Sequence, residues 1–515
     1  MRSRRIRTKL ALGAALGLTV AGTALAASGG TATGPSTTTD PYLEPVAPGV
    51  KVTSILTVKN GTDPGRASNG YEMVGIPDGL GAFDGPRGRD FGLIMNHELR
   101  TTQGVPRRHG VSGAFDSIWN IDSKSLEVEQ GADLIDPTVR YYDYTSHSYT
   151  DTATPPFTQQ FARFCSSYLT APGQLSSDRH DRGYDGQIYF ANEENGDNGR
   201  DFGVTLDGQA QQLPRLGLAS WENSLVGLNK GDTTYVQGDE DGSSTGSQLH
   251  VYIGHKQSHG NPFDRAGLTN GHQFVVDLSN EAVTNDAEFR ATYGKNNPAP
   301  FDLGPDEEVN WDQPGAAQST ESDAKGLGLN RIEDGAFDPR HPEDFYFVTT
   351  EGGNGGTPGS TGRDGGGFWR LRYNDVERPW EGGTLTLLLD GSEMDPALWN
   401  PDNVTVDRKG HVLIQEDPGN NVHRAKIVAY DIRSGDVASI ARFDQRFEPG
   451  DPSFITQDEE SSGIIDSSKF LGGNTFLFDA QVHAAHPEAD KVEFGQLLTL
   501  HVQSWKKVFK DDDEE

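Results

Sequence analysis

The sequence predicts an all-β chain, folded as a β-propeller with long inserted loops. Three observations predict it. The 63 glycines and 28 prolines are spread through the whole length rather than gathered in one linker. No helical period persists over many turns. A short β-type run that opens into polar or acidic residues recurs along the chain. It is clearest at Phe91–Glu98 and Gln187–Glu194, and it returns at Phe345–Glu351, His411–Asp417 and Thr475–Gln481. Leu249–Gly254 and Phe368–Tyr373 fit the spacing less regularly.

Hairpin-type turns introduce several of these runs, as at Tyr184-Asp185-Gly186, Asp338–Asp344 and Asp407-Arg408-Lys409-Gly410. Turn, strand, then polar loop is the spacing of a propeller, where strand ends from different blades meet at one face of a central channel. A double-sheet sandwich with long loops is the alternative. No composition break divides the chain, so one large domain is expected.

Residues 1–26 read as a signal peptide. Arg2, Arg4, Arg5, Arg7 and Lys9 precede an apolar stretch from Leu10 to Leu25, and Ala24-Leu25-Ala26 makes a small-x-small cleavage site. A membrane anchor is the rival reading, but the stretch is short and a Ser/Gly/Thr/Pro segment follows. Ser3-Arg4-Arg5 resembles the start of a twin-arginine export signal, although Arg7 and Thr8 stand where that signal prefers apolar residues. Residues 27–40 are expected to form a flexible linker, 41–508 the propeller domain and 509–515 an acidic tail. No later segment is long and apolar enough to span a bilayer, so the expectation is an exported protein, periplasmic or extracellular, without a membrane contact after cleavage. A monomer is compatible with this reading.

The formal charge is -32, and loss of the basic leader makes the mature chain more acidic still. That argues against nucleic acid as a stable partner. The acids are not confined to the tail, for many stand inside or beside apolar strands. Acids that converge cannot all stay ionised unaided, and divalent or trivalent cations solve this. Oxygen-only pairs such as Asp402-Asn403, Glu416-Asp417 and Glu459-Glu460 suit calcium, though each pair taken alone reads more readily as a solvated loop, and it is their recurrence that favours a metal. In Arg331-Ile332-Glu333-Asp334 an arginine lies close to adjacent carboxylates, suited either to gripping a phosphoryl oxygen or to a salt bridge within a turn. Cys165 is the single cysteine, so no intramolecular disulfide forms, and its ordinary reading is a small buried hydrophobe.

Taken in order, these segments resemble the PhoX-like alkaline phosphatases, exported bacterial β-propeller enzymes. The matching segments are Asn96-His97-Glu98, Phe164-Cys165-Ser166, Asn192-Glu193-Glu194, Trp221-Glu222-Asn223, Arg331–Gly335, Asp402-Asn403 with Asp407 and Gly410, Glu416-Asp417, and Glu459–Gly463. They span about residue 40 to 505. The resemblance implies a propeller of about six blades carrying a cluster of iron and calcium that hydrolyses small phosphate esters. It implies Cys165 as a thiolate on iron with Glu222 and Glu333, and Glu194, Asp402, Glu416, Asp417 and Glu460 as further metal ligands. Arg331 would bind the substrate phosphate. Ile332 stands where many members have proline, Asp232, Asp239, Glu240 and Asp241 are left unassigned, and whether His97, Glu98 and Glu193 touch metal or support a neighbour stays open. Two other functions stay open: a calcium-dependent propeller hydrolase of another type, such as a phytase or lactonase, and a non-catalytic binding propeller stapled by calcium.

Overall fold

Both faces of many inner strands are covered, which explains why the apolar runs show little alternation. Along His341–Thr349 the side chains of Phe345 and Phe347 enter one cluster with Tyr235 and Val251, while Tyr346 and Val348 enter another with Val404 and Val412. Sheets buried on both sides must stack against other sheets, and a ring of sheets stacked face to face is a propeller.

The computed structural model describes residues 29–242, 246–351, 366–391 and 398–509. Six sheets of four to six strands make the six blades. From inside outward, blade I begins with Pro77–Asp84, blade II with Phe164–Leu169 and blade III with Trp221–Val226. Blade IV begins with Ile332–Asp338, blade V with Pro401–Val406 and blade VI with Glu459–Asp466. Each innermost strand lies against the innermost strands of the two neighbouring blades, so the six close around a channel.

The ring is clasped by joining the two ends of the chain. Blade VI takes three strands from the C-terminal region and then Val50–Thr57, which runs antiparallel to Glu493–Val502. Leu43–Pro45 completes the outer edge of blade V in the same way. The apolar seam between blades V and VI, with Leu413 and Ile427 facing Phe476, Phe478 and Leu500, buries each of these side chains fully. At ~1.5–3 kcal/mol for each buried side chain, this seam is a main support of closure.

Two expectations change. The segment 27–40 is not a free linker over its described part: Gly30–Thr33 pairs in parallel with Val50–Thr57. Beyond it, Asp63 Oδ2 accepts hydrogen bonds from Thr37 Oγ1, Thr38 N, Thr39 N and Thr39 Oγ1 at 2.5 to 3.0 Å. Polar composition suggested a linker, but extended Thr-rich backbone with a carboxylate to cap it is also good edge strand. The second change concerns the recurring runs, whose strands are the second of each blade, as Asp90–His97, Ile188–Glu193 and His411–Glu416 show. Residues 1–28 and 510–515, which include the expected signal peptide and most of the acidic tail, lie outside the described residues. Among the described residues no helix is long and apolar enough to cross a membrane.

Candidate metal centre

The second residue of every innermost strand is a carboxylate or the lone thiol. These residues are Asp78, Cys165, Glu222, Glu333, Asp402 and Glu460, in blades I to VI. A β-bulge or register shift follows the first residue of the innermost strand in blades I to V, and comes later, between Ser462 and Ile465, in blade VI. A bulge bends a strand and re-aims the side chains beside it. In blades I to V it falls at the ligand-type side chain, and with Glu460 of blade VI these side chains make a common inner ring.

A second backbone device sets the rim. In every blade the residue just before the innermost strand offers its carbonyl to the amide that follows or closes the second strand: Ile76 to Glu98, Arg163 to Glu194, Ser220 to Asp241, Arg331 to Thr350, Asn400 to Asp417 and Asp458 to His483, at 2.9 to 3.0 Å. Four of the six acceptors are left-handed, with φ of 52° at Ile76, 46° at Arg163, 57° at Arg331 and 48° at Asn400. This conformation is unfavourable for residues other than glycine and asparagine. The rim thus carries Glu98, Glu194, Asp241, Thr350, Asp417 and His483, one per blade, above the inner ring.

The ring, with Glu98, Glu194 and Asp417 of the rim, falls into four groups whose ligand atoms lie within 4.8 Å of one another: Asp78, Glu98 and Cys165; Cys165, Glu194 and Glu222; Glu222, Glu333 and Asp402; and Asp402, Asp417 and Glu460. Shared members link the groups into one chain of sites. Burial first, and neighbouring carboxylates after it, raise the pKa of Asp78, Glu333 and Asp402 well above the carboxylate range. The same causes lift Glu222 to about 8 and Glu460 to about 7. The Cys165 thiol is pushed up by burial and then by Glu222 and Asp78, and it donates to Asp78 Oδ2 at 3.4 Å. Without cations these shifts favour the protonated form of each group.

Two guanidiniums and one imidazole offset part of this charge. Arg163 reaches Glu98 at 2.7 Å and also pairs with Glu194. Arg331 reaches Asp241 at 2.8 Å and Glu333 at 3.2 Å. Burial is the largest single influence on Asp241 and opposes its ionisation, but Arg331, Arg163 and the neighbouring groups together outweigh it and the pKa falls. His483 stands 2.8 Å from Glu493 and 3.6 Å from Glu460, and although burial works against its charge, these carboxylates raise its pKa well above the ordinary imidazole value. Beside the ring, a cavity of about 420 Å³ opens between Glu98, Arg163, Asp417, Glu460 and His483.

The residues present fit metal ions. Nine carboxylates face two arginines and a histidine, Asp78 Oδ1 is buried without a hydrogen-bond partner, and the donor set is oxygen-rich with a single thiol. Oxygen-only groups such as Asp402, Asp417 and Glu460 suit a hard cation like calcium, and the groups that include Cys165 suit a transition metal such as iron.

Of the residues expected as ligands, the structure gathers Cys165, Glu194, Glu222, Glu333, Asp402, Asp417 and Glu460, and it sets Arg331 at the rim. Glu416 is corrected. Its carboxylate accepts from Trp399 N and Lys426 N at 2.8 and 3.0 Å and contacts His423 at 2.9 Å, away from the cluster. The reason is the two-residue period of a strand. Glu416 occupies the position of His97, Glu193 and Glu240, opposite the first residue of the innermost strand, and all face away from the channel. His97 stacks on Phe115, Glu193 is gripped by buried Arg200 at 2.6 Å, and Glu240 meets His250 at 3.0 Å. Asp239, also left without a role, is fully buried with both oxygens unpartnered, and Asp334 is the first of the carboxylates that keep its pKa up once burial has raised it.

Sequence reasoning missed Asp78, Arg163 and His483, and left Glu98 and Asp241 open. A signal existed. Ile76-Pro77-Asp78, Arg163-Phe164-Cys165, Ser220-Trp221-Glu222, Arg331-Ile332-Glu333 and Asn400-Pro401-Asp402 share one pattern, an apolar residue directly before the ligand-type residue. Asp458-Glu459-Glu460 departs from it only at Glu459.

No protein-family model matches the chain, and no curated protein does. Solved structures do. Pseudomonas fluorescens PhoX in complex with vanadate, a transition state analogue, superposes with a TM-score of 0.57 at 12% identity, over 92% of this chain and 98% of that one. The six-bladed propeller fold is shared with it. More distantly, a β-1,3-galactosidase matches with a TM-score of 0.35 at 9% identity, over 84% and 92% of the two chains. A glucose dehydrogenase matches with a TM-score of 0.29 at 12% identity, over 65% and 95%.

Proposed function

We propose that this chain is an exported, metal-dependent phosphomonoesterase that uses iron and calcium to hydrolyse small phosphate esters. One observation carries the reading: six blades each deliver one ligand-type side chain to a single mouth, and an arginine leans over it. Cys165, Glu222 and Glu333 would hold iron, with Asp78, Glu98 and Glu194 completing that half. Asp402, Asp417 and Glu460 would hold calcium. When bound, these ions supply Lewis acidity toward a phosphoryl group and neutralise negative charge as it develops.

The protein's own part is positioning and electrostatics. Arg331 is held by Asp241 through Nε and Nη2, which leaves Nη1 without a hydrogen-bond partner among the described residues and able to take an oxyanion. Asp241 keeps its negative charge and so anchors that guanidinium. Ser166 Oγ donates to Glu222 Oε1 at 2.7 Å and is itself in contact with Asn403 Nδ2, which fixes the orientation of the Glu222 carboxylate. The cavity beside the ring gives the alcohol part of the ester a polar place to sit.

The test is release of phosphate from a simple aryl phosphate by the metal-loaded protein, combined with elemental analysis. Cys165→Ala is expected to lose iron and most turnover while keeping calcium and fold, and Arg331→Ala to lose turnover while keeping both metals. The oxygen-only group Asp402, Asp417 and Glu460 favours one second reading, a calcium-dependent hydrolase of another type. Calcium without iron, and full activity in Cys165→Ala, would select it. Metal content and ligand binding indifferent to both substitutions would select a non-catalytic propeller.

A further inference from the structure

Arg331 has a counterpart. Arg163 occupies in blade II the place that Arg331 occupies in blade IV: a left-handed residue directly before the innermost strand, two positions ahead of a ring member, with its carbonyl bonded to the rim residue of its own blade. Each guanidinium spans two blades. Arg163 joins Glu98 of blade I to Glu194 of blade II, and Arg331 joins Asp241 of blade III to Glu333 of blade IV.

Between them Glu194 and Asp241 lie close enough to shift each other's pKa, so Glu98, Arg163, Glu194, Asp241, Arg331 and Glu333 form one line of interacting charges along the rim of four blades. Asp241 senses both guanidiniums. Arg163 engages protein through Nε and Nη2 only, its Nη1 has no partner among the described residues, and a third of the side chain, 34%, is open to the mouth. It also borders the cavity of about 420 Å³, which Arg331 does not.

We propose that Arg163 is a second anchor for the dianionic phosphoryl group, which is gripped by Arg163 on the side of the cavity and by Arg331 on the side of blade IV. The inference rests on the phosphoester reading above. A long charged side chain held at a strained backbone position, with donors facing the ligand cluster, is the arrangement that oxyanion recognition needs. Were Arg163 needed only to neutralise Glu98 and Glu194, any cation at that rim position would serve as well.

Inorganic phosphate and orthovanadate are titrated into wild type, Arg163→Gln, Arg163→Lys and Arg331→Gln, each loaded with iron and calcium, with metal content measured on every sample. Arg163→Gln is expected to weaken phosphate binding about 10- to 100-fold at wild-type metal content, and to raise KM for a small phosphate ester more than it lowers kcat. Arg163→Lys is expected to recover only part of the affinity. Unchanged phosphate affinity in Arg163→Gln overturns the proposal. So does full recovery in Arg163→Lys, or a loss of metal in step with phosphate, because then the side chain only holds Glu98 and Glu194. If Arg331→Gln weakens binding and Arg163→Gln does not, the second anchor alone falls. If wild type binds no phosphate and hydrolyses no ester, the phosphoester reading falls and takes the anchor with it.

Discussion

Stripping metal from this protein should make its stability fall steeply as pH rises. Glu222 has an ordinary pKa of 4.5 that burial raises to about 8 in the metal-free fold. Between those values the folded protein keeps a proton that the unfolded chain has released. Stability therefore decreases with pH: the contribution is complete below about pH 4.5 and is lost as pH rises through 8. At about 1.4 kcal/mol per pKa unit, Glu222 alone accounts for a loss on the order of 5 kcal/mol. Glu460, raised from 4.5 to about 7, adds a loss on the order of 3 kcal/mol. That is comparable with the whole stability of an ordinary domain, about 5–15 kcal/mol. Bound cations replace those protons, so the metal-loaded protein should lose far less. Asp201, buried outside the cluster and raised to about 8, acts in both forms, which makes the difference between them the quantity to read. The assay is urea unfolding of chelator-treated and metal-loaded protein at each pH unit from 5 to 9. Metal-free Glu222→Gln should show a shallower fall and exceed metal-free wild type at pH 9, although it binds metal poorly. A metal-free protein equally stable at pH 5 and pH 9, or a Glu222→Gln slope identical to wild type, would refute this reasoning.

Other perturbations separate support from chemistry. Glu416→Gln should destabilise the fold by about 1–3 kcal/mol through its bonds to Trp399 N, Lys426 N and His423, while elemental analysis shows unchanged metal content. Gly79→Ala should do the opposite kind of harm, since a Cβ there would lie 2.4 Å from Ser167 Oγ and 2.5 Å from Ser167 N. Relieving that overlap moves blade I away from blade II, so metal bound by Asp78 and Cys165 should be lost at a temperature where circular dichroism still reports native sheet.

The recurring apolar runs made the propeller legible because the second strands of the blades, such as Ile188–Glu193 and His411–Glu416, are fully buried and read as strands. The innermost strands were not legible from pattern. Phe164-Cys165-Ser166-Ser167, Trp221-Glu222-Asn223-Ser224 and Glu459-Glu460-Ser461-Ser462-Gly463 turn polar by their third residue, and register shifts within these strands break the two-residue period by which a strand is recognised. The roles given to Cys165, Glu222 and Glu333 came from family resemblance rather than from spacing. Adjacent acids were a further limit. In Glu193-Glu194 and Glu416-Asp417 the composition is symmetric, and only the pleat decides that the second residue faces the channel while the first is held by Arg200 or by Trp399 and Lys426.

The strained residues explain why the ring and rim come as a unit. At Ile76 a β-branched side chain sits at φ 52°, a conformation costing roughly 1–2 kcal/mol, and it is retained because Ile76 packs with Val74, Leu99 and Phe115. What the left-handed turn gains is a carbonyl aimed at Glu98 N, 2.9 Å away. That bond fixes Glu98, from the end of the second strand, relative to Asp78, two residues beyond the turn. Asn400 does the same for Asp417 and Asp402 at little strain, whereas Arg163 and Arg331 add a guanidinium to the same bond. Each such blade thus couples one ring ligand to one rim group through a single peptide carbonyl. A metal that draws in the ring residue must also set the rim residue, so the geometry seen by a ligand at the mouth depends on occupancy of the ring beneath it.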